Sequence, residues 1–208
     1  LEHDCRRRGS RNRIDIDLYT AEPGPMPVAG QAVSDALRRM IESKGIGYHP
    51  NHAVTTVDPD QRRMTFSNGE SVQFDLLAYV PPHRAPQVVR DAGMCGESGW
   101  IPVDRDTLAT KYPGVYAIGD VTGIMLTSIG RPLPKAGVFA HGEAEAVAHN
   151  IAREVTGRGE PHRFKGDGAC FIETGDGRAA YGSGNFFAEA APEIRLHAPS
   201  RLLRFGKI

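Results

Sequence analysis

The sequence predicts an α/β fold, and three observations carry that expectation. The stretch RIDIDLY, residues 13–19, alternates strictly and puts Ile14, Ile16 and Leu18 on one face, the pattern of a half-buried strand. In QAVSDALRRMIESKG, residues 31–45, Val33, Ala36, Leu37, Met40 and Ile41 recur at helical spacing, and Gly45 stands where a helix stops. In RRMTFSNGESVQF, residues 62–74, Asn68-Gly69 separates two alternating runs, a strong local signal for a hairpin.

The remaining elements follow in order. LEHDCRRRG is polar and reads as the tail of a helix ending at Gly9. TAEPGPMPVAG is a proline-rich loop. A strand is expected near Ala53–Val57, completing a three-stranded antiparallel meander with the hairpin. DLLAYV, residues 75–80, reads as a short buried strand stopped by Pro81-Pro82. GWIPVD and GVYAIGD read as short strands around a loop. Pro134 to Gly157 is a long helix with Ala144, Val147, Ala148, Ile151 and Val155 as its inner stripe. The tail GDGACFIETGDGRAAYGSGNFF gives two strands around a glycine-rich turn. Its GDGRAA matches GxGxxA, but no helix follows, so it reads as a turn and not a phosphate cradle. Helix, strand, helix, hairpin and strand in that order describe a dinucleotide-type α/β domain without its first strand and phosphate loop. Three segments are expected: a truncated NAD-type domain at 1–107, a returning segment of a second domain at 108–160, and a β-rich piece at 161–208.

Composition bounds the function. The 208 residues suffice for one or two domains. Basic and acidic residues balance at 25 each, which gives no reason to expect nucleic acid as a partner. No apolar run approaches the roughly 18 residues of a spanning helix, and the chain is expected to be soluble and cytoplasmic. It opens on Leu rather than Met, and is expected to be a piece of something longer. Cys5, Cys95 and Cys170 form no CxxC pair, so zinc-ribbon and thioredoxin-type motifs are not available. His49 and His52 are close, but no acid or cysteine cluster joins them as a metal set, and no metal is expected.

The segment with the most chemistry is TKYPGVYAIGDV, residues 110–121. Gly119, lacking a side chain, lets a cofactor approach the backbone. Asp120 then offers a carboxylate to ligand hydroxyls, or caps a helix. Next, LPKAGVFAHGEAEAVAHNI begins a helix just after Lys135, near Gly137. A helix start carries partial positive charge and free N–H groups. Lys135 adds to that field, unless it is a surface lysine before a turn.

Taken in order, FDLLAYVPPHRAPQVV, GWIPVD, GVYAIGDV, LPKAGVFA, GDGACFIETGDGRAA and the final Lys207 resemble the sulfide:quinone oxidoreductases and their relatives, the flavoprotein subunits of flavocytochrome c sulfide dehydrogenase. The likeness covers nearly the whole chain. It implies a partial two-dinucleotide-binding-domain flavoprotein fold, in which FAD lies between an N-terminal dinucleotide fold and the returning segment. By that resemblance Gly119 and Asp120 match the flavin-ribityl site, Lys135 and Gly137 the helix start at the flavin ring, Cys170 the downstream redox cysteine, and Lys207 a lysine near the quinone pocket. The cysteine that pairs with Cys170 in relatives would fall before Leu1, as would the FAD-phosphate loop. Sulfide and quinone are the implied substrates. The parent is expected to sit on a membrane surface, whereas the isolated chain is expected to be inactive, to bind FAD weakly and to self-associate. Two other readings remain open. One is a type II NADH dehydrogenase-like flavin reductase, with Glu22 placed after a strand where an acid reads ribose. The other is a non-catalytic interaction domain.

Overall fold

Helix α1 (Glu2–Arg7) opens the chain in the computed structural model, which describes residues 1–206. Lys207, the quinone-side candidate, lies outside the described residues. Contacts divide the chain into two units: Leu1–Pro81 with Thr174–Arg178, and Pro82–Glu173 with Ala179–Ile208.

In the first unit, α1 carries i,i+4 ion pairs, Glu2–Arg6 at 3.0 Å and Asp4–Arg8 at 2.8 Å, and buries Cys5. Strand β1 (Asp17–Tyr19), helix α2 (Gln31–Glu42) and strand β2 (Gly47–His49) form a βαβ unit whose strands run parallel, with Leu18 opposite Tyr48. Strand β1 is shorter than its alternation suggests. Arg11–Arg13 form a single 3-10 turn, and the Arg11 guanidinium donates to the carbonyls of Ile14 and Gly45. That ties the stretch before β1 to the end of α2, and only three residues are left to pair with β2. Strands β3 (Val54–Asp58), β4 (Arg63–Phe66) and β5 (Ser71–Gln73) form the expected antiparallel meander. Its tight turn is centred on Ser67-Asn68 rather than Asn68-Gly69: the Gly69 N–H donates to the Phe66 carbonyl at 3.0 Å, and Gly69 itself takes the left-handed conformation (φ 86°). This is a three-residue loop with a glycine bulge, the next commonest hairpin closure.

Tyr19 is stacked between His49 and Phe66, with centroids 4.3 and 4.8 Å away. His49 pairs with Asp17 at 2.7 Å and His52 with Glu70 at 3.1 Å, so both histidines have carboxylate partners. The Pro50 carbonyl and Glu70 together raise the pKa of His52.

The run DLLAYV does not form a strand. Leu76 is 77% exposed and Val80 75%. An apolar run becomes a strand only beside a strand that can take its hydrogen bonds, and among the described residues β5 pairs with β4 alone.

Residues Thr174–Arg178 complete the first unit through Asp176. Its carboxylate accepts from Arg6 at 2.8 and 2.9 Å and from Lys44 at 3.3 Å, and lies 3.0 Å from His3 Nδ1. The Arg6 guanidinium first, then Lys44, holds its pKa well below the ordinary 3.8. A depressed carboxylate stabilises the fold above its unfolded value and loses that contribution as pH falls through the folded one. Asp176→Asn, which tolerates the left-handed backbone here (φ 56°), should therefore melt below wild type at pH 7. The difference should shrink once the pH drops under about 4. Thermal melts between pH 7 and 3 check this, and a difference that does not change with pH would contradict it.

The second unit begins with helix α3 (Gln87–Asp91). The expected strands GWIPVD and GVYAIGD reduce to two isolated bridges, Ile101 with Thr122 and Ala109 with Tyr116. Strands β6 (Met125–Leu126) and β7 (Arg131–Pro132) pair as a small ribbon. Helix α4 (Gly137–Thr156) ends at Gly157 in the left-handed conformation, as its sequence signals. Its buried face is Phe139, Glu143, Ala146, Val147 and Asn150. This corrects the expected stripe, of which only Val147 belongs; Val155 is 80% exposed. Asn150 is buried because both ends of its amide are satisfied: Nδ2 donates to the His162 carbonyl and Oδ1 accepts the His162 N–H, each at 2.9 Å.

Strands β8 (Asp167–Gly175), β9 (Arg178–Asn185) and β10 (Glu193–Ser200) form an antiparallel sheet in the order β10-β9-β8, followed by helix α5 (Arg201–Phe205). The GDGRAA match is the turn between β8 and β9, with Ala179 and Ala180 already in β9. The third strand was not expected. Ile194 and Leu196 alternate with Glu193, Arg195 and His197, a period-2 signal that was present to be read.

Candidate flavin-side site

The site is assembled from the Gly119–Asp120 turn and the start of α4, both in the second unit. Ile118 is extended (φ −136°, ψ 160°), and the backbone then turns at Gly119 (φ 72°) into a single 3-10 turn over Gly119–Val121. A side chain is disfavoured at Gly119 on two counts. The left-handed conformation strains an L-residue, and an added Cβ would lie 3.3 Å from Ala140 Cβ on α4.

Three groups hold the turn by its backbone. The Glu143 carboxylate accepts the Gly119 N–H. The Lys135 ammonium donates to the carbonyls of Asp120 at 2.6 Å and Thr122 at 2.9 Å. The Thr122 hydroxyl donates back to the Gly119 carbonyl at 2.9 Å. The ammonium also lies 3.7 Å from the centre of the Trp100 ring, a cation–π contact. Asp120 is held through its main chain, and the residue stays exposed. The space between turn and helix is only about 10 Å³, about enough for one water.

The electrostatics follow from burial. Glu143 is 1% exposed, and desolvation raises its pKa against the opposing pull of the Gly119 N–H and Lys135. Desolvation lowers the pKa of Lys135, against the carboxylates of Asp120 and Glu143. No side chain caps the start of α4, and Gly137 and Val138 are exposed there. The uncapped end keeps the partial positive charge of a helix N-terminus.

Of the sequence-predicted residues, Gly119, Asp120, Lys135 and Gly137 come together. Lys135 is more engaged than expected: besides adding positive charge, it clamps the turn. Glu143 was missed. The signal for it was positional, because it stands four residues from both Phe139 and Val147 on the face those side chains bury. Cys170 lies on β8 with an exposed thiol, which donates to the Phe171 carbonyl at 3.5 Å. Its strand is docked on α4: at Gly168, on the same face two residues earlier, an added Cβ would fall 2.4 Å from Phe139 Cε1. Cys5 is buried, Cys95 half-buried, and all three thiols are free. Glu22 is exposed beyond β1, where its carbonyl accepts from the Asn51 N–H and the Thr20 hydroxyl.

Residues 8–144 match the pyridine nucleotide-disulphide oxidoreductase family, about two thirds of the chain. The chain belongs to this family. Within the pyridine nucleotide-disulphide oxidoreductases it is similar to the mitochondrial sulfide:quinone oxidoreductase of Schizosaccharomyces pombe, 29% identical over 83% of this chain and 38% of that protein. It is 26% identical to the sulfide-quinone reductase of Aquifex aeolicus over 91% of this chain and 45% of that one. The solved sulfide:quinone oxidoreductase of Aquifex aeolicus matches the whole chain and 50% of its own, with a TM-score of 0.82 at 22% identity. The fold is therefore part of a two-dinucleotide-binding flavoprotein fold, as expected. The chain spans half or less of the length of these relatives. The family match includes Gly119, Asp120, Lys135, Gly137 and Glu143, while Cys170 lies beyond it. Among the described residues no helix is long and apolar enough to cross a membrane.

Proposed function

We propose that this chain is the flavin-ribityl and cysteine-bearing portion of an FAD-dependent sulfide:quinone oxidoreductase. The observation that carries the reading is the Gly119–Asp120 turn, gripped by its backbone from Lys135 and Glu143 so that a carboxylate is left exposed beside an uncapped helix start. The residues fit a flavin. Gly119 offers a bare backbone, Asp120 accepts from ribityl hydroxyls, and the start of α4 with Lys135 favours negative charge at the ring. The bound flavin supplies two-electron redox chemistry.

Cys170 works from β8 as the nucleophile toward sulfur, and a cysteine used this way needs access. Its exposure supports this assignment. Lys207 is assigned to the quinone side on resemblance alone. Two electrons leave sulfide, which ends as sulfane sulfur, and reach quinone, which takes up two protons as well. The exposed run Leu76, Tyr79 and Val80 fits a surface covered by a further flavin-binding portion or by a second copy, because large apolar patches rarely stay bare. This chain alone is expected to hold FAD weakly, since among the described residues no strand, glycine loop and helix follow one another to seat the pyrophosphate.

The test uses the full-length flavoprotein under anaerobic conditions. Sulfide should bleach the flavin band within a turnover time, and NADH should not. Bleaching by NADH and not by sulfide would overturn the proposal in favour of an NADH-dependent flavin reductase.

A further inference from the structure

We infer that Glu143 is a positioning residue for the cofactor: its carboxyl, by accepting the Gly119 N–H, holds the turn that presents the Asp120 side chain. This rests on the flavin reading above and adds a residue to it.

With Gly119 in the left-handed conformation, its N–H is directed at α4 and not along a strand. A part-buried N–H that leaves the strand pattern needs a partner. Ala140 lies under the turn, and Phe139, Ile124 and Leu133 line the same small space beside Thr122, Lys135 and Glu143. Glu143, one helical turn beyond Phe139, supplies the acceptor. Lys135 takes the carbonyls of Asp120 and Thr122. The turn is thus held through one N–H and two carbonyls, and Asp120 remains exposed.

A space-filling residue would not need this chemistry. A carboxyl that is 1% exposed is costly to bury unless its hydrogen bond and charge partners use it. The charged groups facing it are Lys135, which favours the carboxylate, and Asp120, which opposes it. Glutamine keeps the acceptor and the volume without the charge, whereas methionine keeps the volume without the acceptor.

The experiment measures FAD dissociation constants by fluorescence titration of the full-length flavoprotein carrying Glu143→Gln or Glu143→Met. Thermal melts confirm folding, and hydrogen exchange reports on the Gly119 amide. Glu143→Gln should bind FAD within about threefold of wild type with the amide still protected. Glu143→Met should bind at least tenfold more weakly, with faster exchange at Gly119, while its melting stays cooperative. Equal affinity in Glu143→Met and wild type overturns the inference and leaves the flavin reading intact. So does weak binding by Glu143→Gln with the amide protected, or failure of Glu143→Met to fold, which would make the residue a determinant of folding. A wild-type protein that takes up no FAD overturns the flavin reading, and this inference with it.

Discussion

Replacing Cys170 by serine in the full-length flavoprotein should lower sulfide-dependent quinone reduction at least about a hundredfold, roughly 2.7 kcal/mol of barrier, with the FAD content unchanged. The thiol is exposed on β8, so serine fills its place without opening a cavity. The strand is held by its contact with α4, where Gly168 leaves no room for a side chain against Phe139, so the exchange should not move the backbone. The loss should therefore be chemical: a hydroxyl is a poor nucleophile toward sulfur where a thiolate is a good one. Cys5 is buried and Cys95 half-buried, and their serine variants should keep the rate. Steady-state rates at saturating sulfide, with flavin quantified in each preparation, decide the point. A Cys170→Ser rate within about threefold of wild type, less than 1 kcal/mol, makes the residue structural.

The second large effect is expected at Asp120. Asp120→Ala should weaken FAD binding by about 10- to 100-fold, the value of roughly 1.5–3 kcal/mol for hydrogen bonds to a charged group. Asp120→Asn should fall in between, because an amide oxygen still accepts. The melting temperature of the apoprotein should barely change. Lys135 holds this residue by its backbone carbonyl, which alanine keeps, and the side chain is exposed. Titration of apoprotein with FAD and a parallel melt separate binding from folding. Unchanged affinity in Asp120→Ala would remove this carboxylate from the site.

Much of the architecture is written in local chemistry. Gly157 ends α4, a hairpin forms in the stretch holding Asn68 and Gly69, and Gly119-Asp120 ends an apolar run, because each depends on a few neighbouring residues and their backbone preferences. The resemblance carried by the motif order was equally legible, and the family match together with the similarity to sulfide:quinone oxidoreductases bears it out.

What the sequence could not decide was which neighbour each segment would meet. DLLAYV has the composition of a core strand and lies exposed, because a strand exists only with a partner for its hydrogen bonds. The inner face of α4 could not be chosen by hydrophobicity. Ile151 and Val155 are apolar yet exposed, while Glu143 and Asn150 are polar yet buried, since the Gly119 N–H and the His162 backbone satisfy them. Those partners lie 24 and 12 residues away along the chain. The sequence by itself determined the local turns, the helix ends and the Gly119-Asp120 motif. Only the tertiary structure decided that Glu143 takes the N–H of that motif and Lys135 its carbonyls, because a buried polar group is tolerated only where the fold delivers its partner.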